Sequence, residues 1–222
     1  AFGIPVQFDK AYIEGISKLE SEDIQRAAQL GYRIKLLGIA RRRDDGIELR
    51  VHPTLVPMGS PLASVDGAMN AVLVHGDVVG PTLYYGQGAG EMPTASAVVA
   101  DLVDVARLES ADPEHRVPYL AFQPDAVKHI PILTADDIES AYYLRLRVAD
   151  RPGVLADVSR ILAKANISIG SMIQEPYQDD EASIIFLLHR AREGAVTQAI
   201  ETIQKLPFVR SEITRLRVEE LL

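Results

Sequence analysis

Two stretches of this sequence combine residue types and spacings that can do chemistry. In DRPGVLADVSRILAKANISIGSM, Asp150 to Met172, an apolar strand ends at the aspartate and a helical pattern starts just past a Pro-Gly pair. Pro152 has no N–H to offer, and Gly153 lets the backbone turn tightly into the helix. The free N–H groups of the first helical turn then face the corner, where the helix dipole favours a carboxylate. Asp150 can accept from an ammonium group, so the corner suits a zwitterionic amino acid. The same residues also suit a plain turn in which Asp150 caps the helix and the cleft is empty. Spacing alone leaves both open.

The second stretch is YYGQGAGEMPT, where Gly86, Gly88 and Gly90 lie between a strand and a helix. Bare backbone at such a crossing lets a ligand approach closely, or it simply makes the crossing tight. Other chemistry-bearing residues carry less. His52 and His75 sit in strand patterns, and His115, His129 and His189 are scattered, with no pair at metal-ligand helical spacing. No metal site is expected. Ser60, Ser64 and Ser96 lack a motif that would make them nucleophiles. Glu14, in YIEG, reads as an exposed acid or as one placed behind a substrate cleft.

The bulk composition narrows the function classes. A net charge of −8 over 222 residues argues against a nucleic-acid or anionic-membrane partner. The one basic run, Arg41-Arg42-Arg43, is followed by Asp44-Asp45 and reads as a solvated hairpin tip. Absence of cysteine excludes disulfides, thiolate metal sites and a cysteine nucleophile, and is compatible with the expected cytoplasmic location. No apolar run reaches the roughly 20 residues a membrane helix needs, and no signal peptide is visible. The chain opens on AFGIPVQFDKAYIEGI without an initiator Met, which suggests a fragment.

The elements that must hold these residues fall into two blocks. In the first, SEDIQRAAQLG reads as a helix with Ser21 as N-cap and Gly31 past its end. YRIKLLGIARRR and GIELRVHPTLVP read as strands joined at Asp44-Asp45-Gly46, and NAVLVHGDVVGPTLYY as two more around Gly76-Asp77. TASAVVADLVDVARL follows as a helix capped by Thr94, with Val98, Val99, Leu102, Val103 and Ala106 on one face. A stretch with four prolines between Glu109 and Ser140 is the linker, whose Tyr119, Leu120, Phe122, Ile130, Ile132 and Leu133 suggest packing along a surface.

After the linker, Tyr142, Leu144, Leu146 and Val148 alternate with Tyr143, Arg145 and Arg147 at strand period. Val154, Leu155, Val158, Ile161, Leu162 and Ala165 follow helix period. A hairpin (Ile167–Tyr177 and Ala182–His189), a helix through Val196, Ala199, Ile200 and Ile203, and a strand over Val209–Val218 complete a βαββαβ order, the ferredoxin-like arrangement. The strand ASIIFLLH is apolar at both parities, although helices cover one sheet face only in a two-layer fold. Its second face must be covered, by another copy of the domain or by the first block. The fold class is therefore α+β. A mostly antiparallel sheet with helices spans residues 1–110, a linker 111–140, and a ferredoxin-like βαββαβ domain 141–222.

Two resemblances add to this reading. LRLRVADRPGVLADVSRILAKANISIGSMIQEP resembles an ACT domain, the small-molecule regulatory module of amino-acid metabolism, through a strand, D-x-P-G-V-L and a later Asn-Ile. It implies effector binding at Asp150, Pro152, Gly153, Val154 and Leu155, with Asn166 and Ile167 at a seam between paired domains. AYIEGISKL, IKLLGIA, VHPTLVP, SPLASVDGAMNAVLVHGD and LYYGQGAGEMPTASAVVADLVDVAR together resemble the catalytic (substrate and dimerisation) domain of bacterial homoserine dehydrogenase, whose ACT-bearing form ends in the same way.

What that family implies is NAD(P)-dependent interconversion of L-homoserine and L-aspartate 4-semialdehyde, in the biosynthesis of threonine, methionine and isoleucine. Feedback by an amino acid, threonine foremost, would act through the ACT domain. The family's nucleotide-binding domain, acidic substrate ligands and catalytic lysine precede the position of Ala1, so no catalytic residue is expected in this chain and NAD(P) would be held mainly elsewhere. By itself the chain is expected to be inactive. Gly90 matches the position that contacts the cofactor, with Gly88 and Gly86 as supports. The expected partners are a small-molecule substrate, an amino-acid effector and further copies of the chain, as a dimer or larger. The alternative is a non-catalytic amino-acid-binding ACT regulator whose first block serves only for assembly.

Overall fold

The computed structural model describes residues 2–5, 7–112, 122 and 124–220. Tyr119, Leu120 and His115 of the expected linker lie outside the described residues. The chain divides into two compact units, one of Ala1–Pro5 with Gly59–His129 and one of Val6–Met58 with Ile130–Leu222. Packing thus groups the first two long strands with the C-terminal domain, a different partition from the sequential blocks 1–110, 111–140 and 141–222.

The second unit is built on one seven-stranded sheet. Its elements are β1 (Tyr12–Ile13), α1 (Ser21–Gln29), β2 (Tyr32–Arg42) and β3 (Ile47–Pro57). In the first unit lie β4 (Met69–Gly76), β5 (Gly80–Gln87) and α2 (Glu91–Ser110). The second unit then continues with β6 (Glu139–Ala149), α3 (Val154–Lys164), β7 (Ile169–Pro176), β8 (Glu181–Arg192), α4 (Glu193–Gln204) and β9 (Thr214–Val218).

Within it, β9-β6-β8-β7 is the strand order of a ferredoxin-like βαββαβ domain, all pairs antiparallel. The sheet does not stop there. Strand β3 joins β9 in parallel at Thr54 and Leu55, β2 pairs along the full length of β3, and β1 adds at Arg50 and Val51.

Both faces of β8 are buried, as its double apolar parity requires. Ile184, Phe186 and Leu188 pack with Val158 and Leu162 of α3 and with Val196 and Ile203 of α4. Ile185 faces the other way, into a second cluster with Ala27 of α1, Leu55 of β3 and Tyr143. The cover thus comes from the same chain: α1 and the β2–β3 pair lie where a second copy of the domain was the alternative.

Several element ends differ from expectation, each for a local reason. Helix α1 is capped by Glu20, one residue before Ser21, in a reciprocal box: its side chain accepts from the Asp23 N–H, and Asp23 accepts from the Glu20 N–H at 3.0 Å. Helix α2 begins at Glu91, not after Thr94, because Pro93 falls in the first turn where its missing N–H has no partner to lose. Strand β6 begins at Glu139, inside the expected linker. Strand β9 begins at Thr214, not Val209, because the Gln204 side chain takes over the backbone groups of Ser211 and Ile213 at 2.9 Å each. The later linker is not free either: Ile132 bridges to Ile47, with Ile47 N–H donating to Pro131 at 2.9 Å.

Candidate functional site

The corner before α3 is a real concavity. Gly153 adopts φ +95°, ψ −22°, a left-handed conformation that glycine takes without strain, and stands as N-cap of the helix. No side chain caps the helix start, so the reading in which Asp150 serves as cap does not hold. Instead the Asp150 N–H donates to the Asp180 carbonyl at 2.7 Å, tying the corner to the β7–β8 turn, while its carboxylate accepts from Gln174 at 3.4 Å. A cavity of about 390 Å³ opens there, lined by Asp150, Pro152, Gly153, Val154 and Leu155 together with Arg151 and Gln174. Asn166 and Ile167 do not line it. Asn166 is exposed, at φ +57° on the turn out of α3, and Ile167 is buried in the helix-side core.

In the first unit, Gly86 pairs with Asn70 on the β4–β5 ribbon and has open space where a Cβ would stand. Gly88 donates to the Ala68 carbonyl at 3.2 Å, and a Cβ there would fall 2.0 Å from the Asn70 amide. Gly90 sits at φ +124°, ψ 152°, a region essentially reserved for glycine, and caps α2. All three are exposed. The loop therefore offers uncovered backbone at Gly86 and Gly90, which fits the approach of a flat ring, while Gly88 is shaped by contact with its own ribbon.

A third group escaped sequence reading. On the helix side of β9, Arg217 is buried and donates to Glu193 at 2.8 Å, to Glu14 at 3.0 Å and to the Tyr12 hydroxyl at 2.9 Å. Tyr12 in turn donates to Glu14 at 2.6 Å. Glu14 is therefore a half-buried, ion-paired acid and not a plain exposed one. Burial works against its ionisation, but Tyr12, Arg217 and Arg215 outweigh it and hold the carboxyl below the usual carboxylate range. Glu193 is shifted the same way: burial opposes the charge, and the Arg217 hydrogen bond and charge win.

His52 lies next to this cluster, fully buried. Its Nε2 accepts from Arg50 at 3.3 Å, which leaves Nδ1–H to donate to the Pro53 carbonyl at 3.1 Å. Burial first, then the positive charges of Arg217 and Arg50, push its pKa down to about 4, so the ring is neutral. The signal in the sequence was the equal parity of Arg215 and Arg217 in TRLRV, which puts two guanidiniums on one face of a short strand. Among the described residues, no three His, Cys, Asp or Glu side chains form a metal-binding group.

Comparison with known proteins places these modules. The family model for homoserine dehydrogenase matches residues 1–103, and that for the ACT domain matches residues 142–208. The homoserine dehydrogenase of Pseudomonas aeruginosa is 55% identical over 223 residues, covering 100% of this chain and 51% of its own length. Along its whole length the chain is similar to homoserine dehydrogenases. Its fold agrees with the crystal structure of homoserine dehydrogenase from Thiobacillus denitrificans at TM-score 0.92 and 61% identity, over 100% of this chain and 50% of that one. The S. aureus homoserine dehydrogenase structure at pH 7.5 matches at TM-score 0.63 and 27% identity, again over 100% and 50%. The chain thus spans about half the length of the curated relatives it matches. No helix among the described residues is long and apolar enough to cross a membrane.

Proposed function

We propose that this chain provides the substrate/dimerisation and regulatory portion of an NAD(P)-dependent homoserine dehydrogenase in the cytoplasm. The carrying observation is that two independent modules, in family order, match members of one enzyme family across the whole chain. The reaction is the interconversion of L-homoserine and L-aspartate 4-semialdehyde, within the synthesis of threonine, methionine and isoleucine. A nicotinamide cofactor would supply the hydride-transfer chemistry at the carbinol carbon of the substrate.

This chain's own part is positional. The exposed backbone of Gly86 and Gly90 gives the ring a surface to lie against, with Gly88 bracing the loop on Asn70. The lysine and acidic groups that would handle the hydroxyl proton and hold the substrate belong to the length of the relatives that this chain does not span. Regulation falls to the α3 corner. Its helix N–H groups suit an α-carboxylate and Asp150 an ammonium, with L-threonine as the effector. Ile167 contributes there only through the core beneath it, and Asn166 through the turn. The apolar residues left exposed on α2, Val98, Val99 and Leu102 among them, support assembly as a dimer or larger.

The test is homoserine-dependent reduction of NAD or NADP by the full-length protein that carries this chain. Activity suppressed by L-threonine is expected. Gly90→Ala, which forces a side chain into a glycine-only conformation, should lower kcat/KM while leaving the threonine response in place. Absence of homoserine-dependent reduction would overturn the enzyme reading. Activity that threonine leaves untouched would overturn the effector assignment.

A further inference from the structure

A cavity larger than the α3 corner lies away from both that corner and the glycine loop. It lies in the second unit, between the segment after β1 and the α4–β9 pair, and encloses about 590 Å³. That is within the span of small-molecule sites, roughly 300–1,000 Å³. Its lining combines two chemically distinct sets of residues. One is apolar, with Ile13, Leu19, Pro53, Ile200 and Ile213. The other is charged and includes Glu14 and Arg215, an opposite pair 3.9 Å apart.

That charged pair is only partly engaged by its neighbours. Arg215 spends Nη1 on the Thr197 hydroxyl at 2.8 Å and on Glu193 at 3.2 Å. Its Nη2 comes no nearer than 3.9 Å to Glu14, and no protein acceptor among the described residues meets its Nε. Glu14 uses Oε2 for both Tyr12 and Arg217, and among the described residues Oε1 accepts no hydrogen bond. The cavity therefore presents a guanidinium edge and a carboxylate whose mutual ion pair is long, at 3.9 Å, both only partly exposed. A guanidinium edge recognises a carboxylate and a carboxylate oxygen recognises an ammonium. Lys18 and Glu212, an exposed ion pair, line the same cavity and link its two sides. Such a surface pair is worth little and can open to admit a ligand.

We infer that this cavity is a second amino-acid site, distinct from the α3 corner, taking a zwitterionic α-amino acid with an aliphatic side chain. The carboxylate lies on Arg215, the ammonium on Glu14 Oε1, and the side chain against Ile200 and Ile213. The site stands whether or not the α3 corner binds an effector, since the two cavities share no lining residue.

Calorimetric titration of the chain tests this with three probes of nearly one shape: L-leucine, isocaproate, which lacks the ammonium, and isoamylamine, which lacks the carboxylate. Saturable heat from L-leucine alone is expected. Arg215→Met should weaken it about tenfold or more, equivalent to one charge-assisted hydrogen bond. Ile200→Trp, which crowds the apolar part of the lining and leaves the charges in place, should abolish it in a chain that still unfolds cooperatively, while Gly153→Ala leaves it intact. No heat from L-leucine would overturn the inference. So would equal binding of isocaproate, or binding that survives Ile200→Trp and fails with Gly153→Ala.

Discussion

Strand β8 and helix α2 are both apolar around more than one face, yet the molecule treats them in opposite ways. In β8, Ile184 and Phe186 go under α3 and α4 while Ile185 goes under α1, and no large apolar side chain of the strand stays exposed. In α2 no residue is buried, and Leu102 retains 64% of its surface. A doubly apolar element inside a continuous sheet finds its second cover locally, because β3 extends the sheet and brings α1 onto the open face. Helix α2 has no such cover among the described residues. Double apolar parity therefore states that cover is needed and not where it comes from.

The cover on β8 also carries charge. Asp23 of α1, with 0% exposure, accepts from Arg145 at 2.7 Å and 3.0 Å and from the Tyr143 hydroxyl at 3.1 Å. Arg145 sits on the face that alternation assigned to the polar side of β6, and is 1% exposed because α1 lies over it. Removing Asp23 should therefore break the contrast most severely. Asp23→Ala leaves a buried guanidinium with its two best bonds gone and should cost about 3–5 kcal/mol in urea unfolding. Pairing it with Arg145→Met should recover much of that loss. A cost under about 1 kcal/mol would mean that α1 is not a fixed cover.

Acid should separate the two regions next. The folded-state pKa of His52, about 4, lies below its ordinary value near 6.5, so the unfolded chain takes up the proton first. The stabilisation is complete above the ordinary value and is lost as pH falls from there toward about 4. It amounts to about 3 kcal/mol across that window. Glu14 and Glu193, held below their usual range, extend the loss to lower pH once their carboxyls protonate. Urea midpoints followed against pH should show this slope, and His52→Gln should flatten its upper part. A wild-type chain with a level profile between about pH 7 and pH 5 would remove His52 from the account.

The smallest thermodynamic effect belongs to α2. Leu102→Glu should change unfolding stability by no more than about 0.5 kcal/mol, since the side chain is already in water within this chain. Its consequence should appear in sedimentation, where the variant shifts toward monomer if this face joins copies of the chain. A substantial stability loss with no change in association would show that α2 is covered from within.

The fold was legible wherever a local rule acts. Apolar runs broken by turn residues marked β2, β3, β4 and β5, period-two alternation marked β6, and period 3.6 marked α3 and α4, because each depends on neighbours a few residues away. Asp-x-Pro-Gly marked the α3 corner, since a missing N–H and a left-handed φ are properties of single residues. The same locality let the glycine loop be found, with Gly90 in a conformation that its neighbours cannot adopt. Element ends were read less well where a remote or side-chain partner decided them, as with Glu20 at α1 and Gln204 before β9.

The charged cluster of Tyr12, Glu14, Arg215 and Arg217 was not legible, because its members are separated by most of the chain and meet only through β3 pairing with β9. Sequence by itself determined the element order, the module identities and the shape of the two short corners. Tertiary structure decided which unit claimed β2 and β3, which side chains covered β8, and that a cavity of about 590 Å³ lies on the α4 side of β9. Those outcomes rest on non-local strand pairing and on the cost of burying charge without a partner, and neither is written in any short stretch of residues.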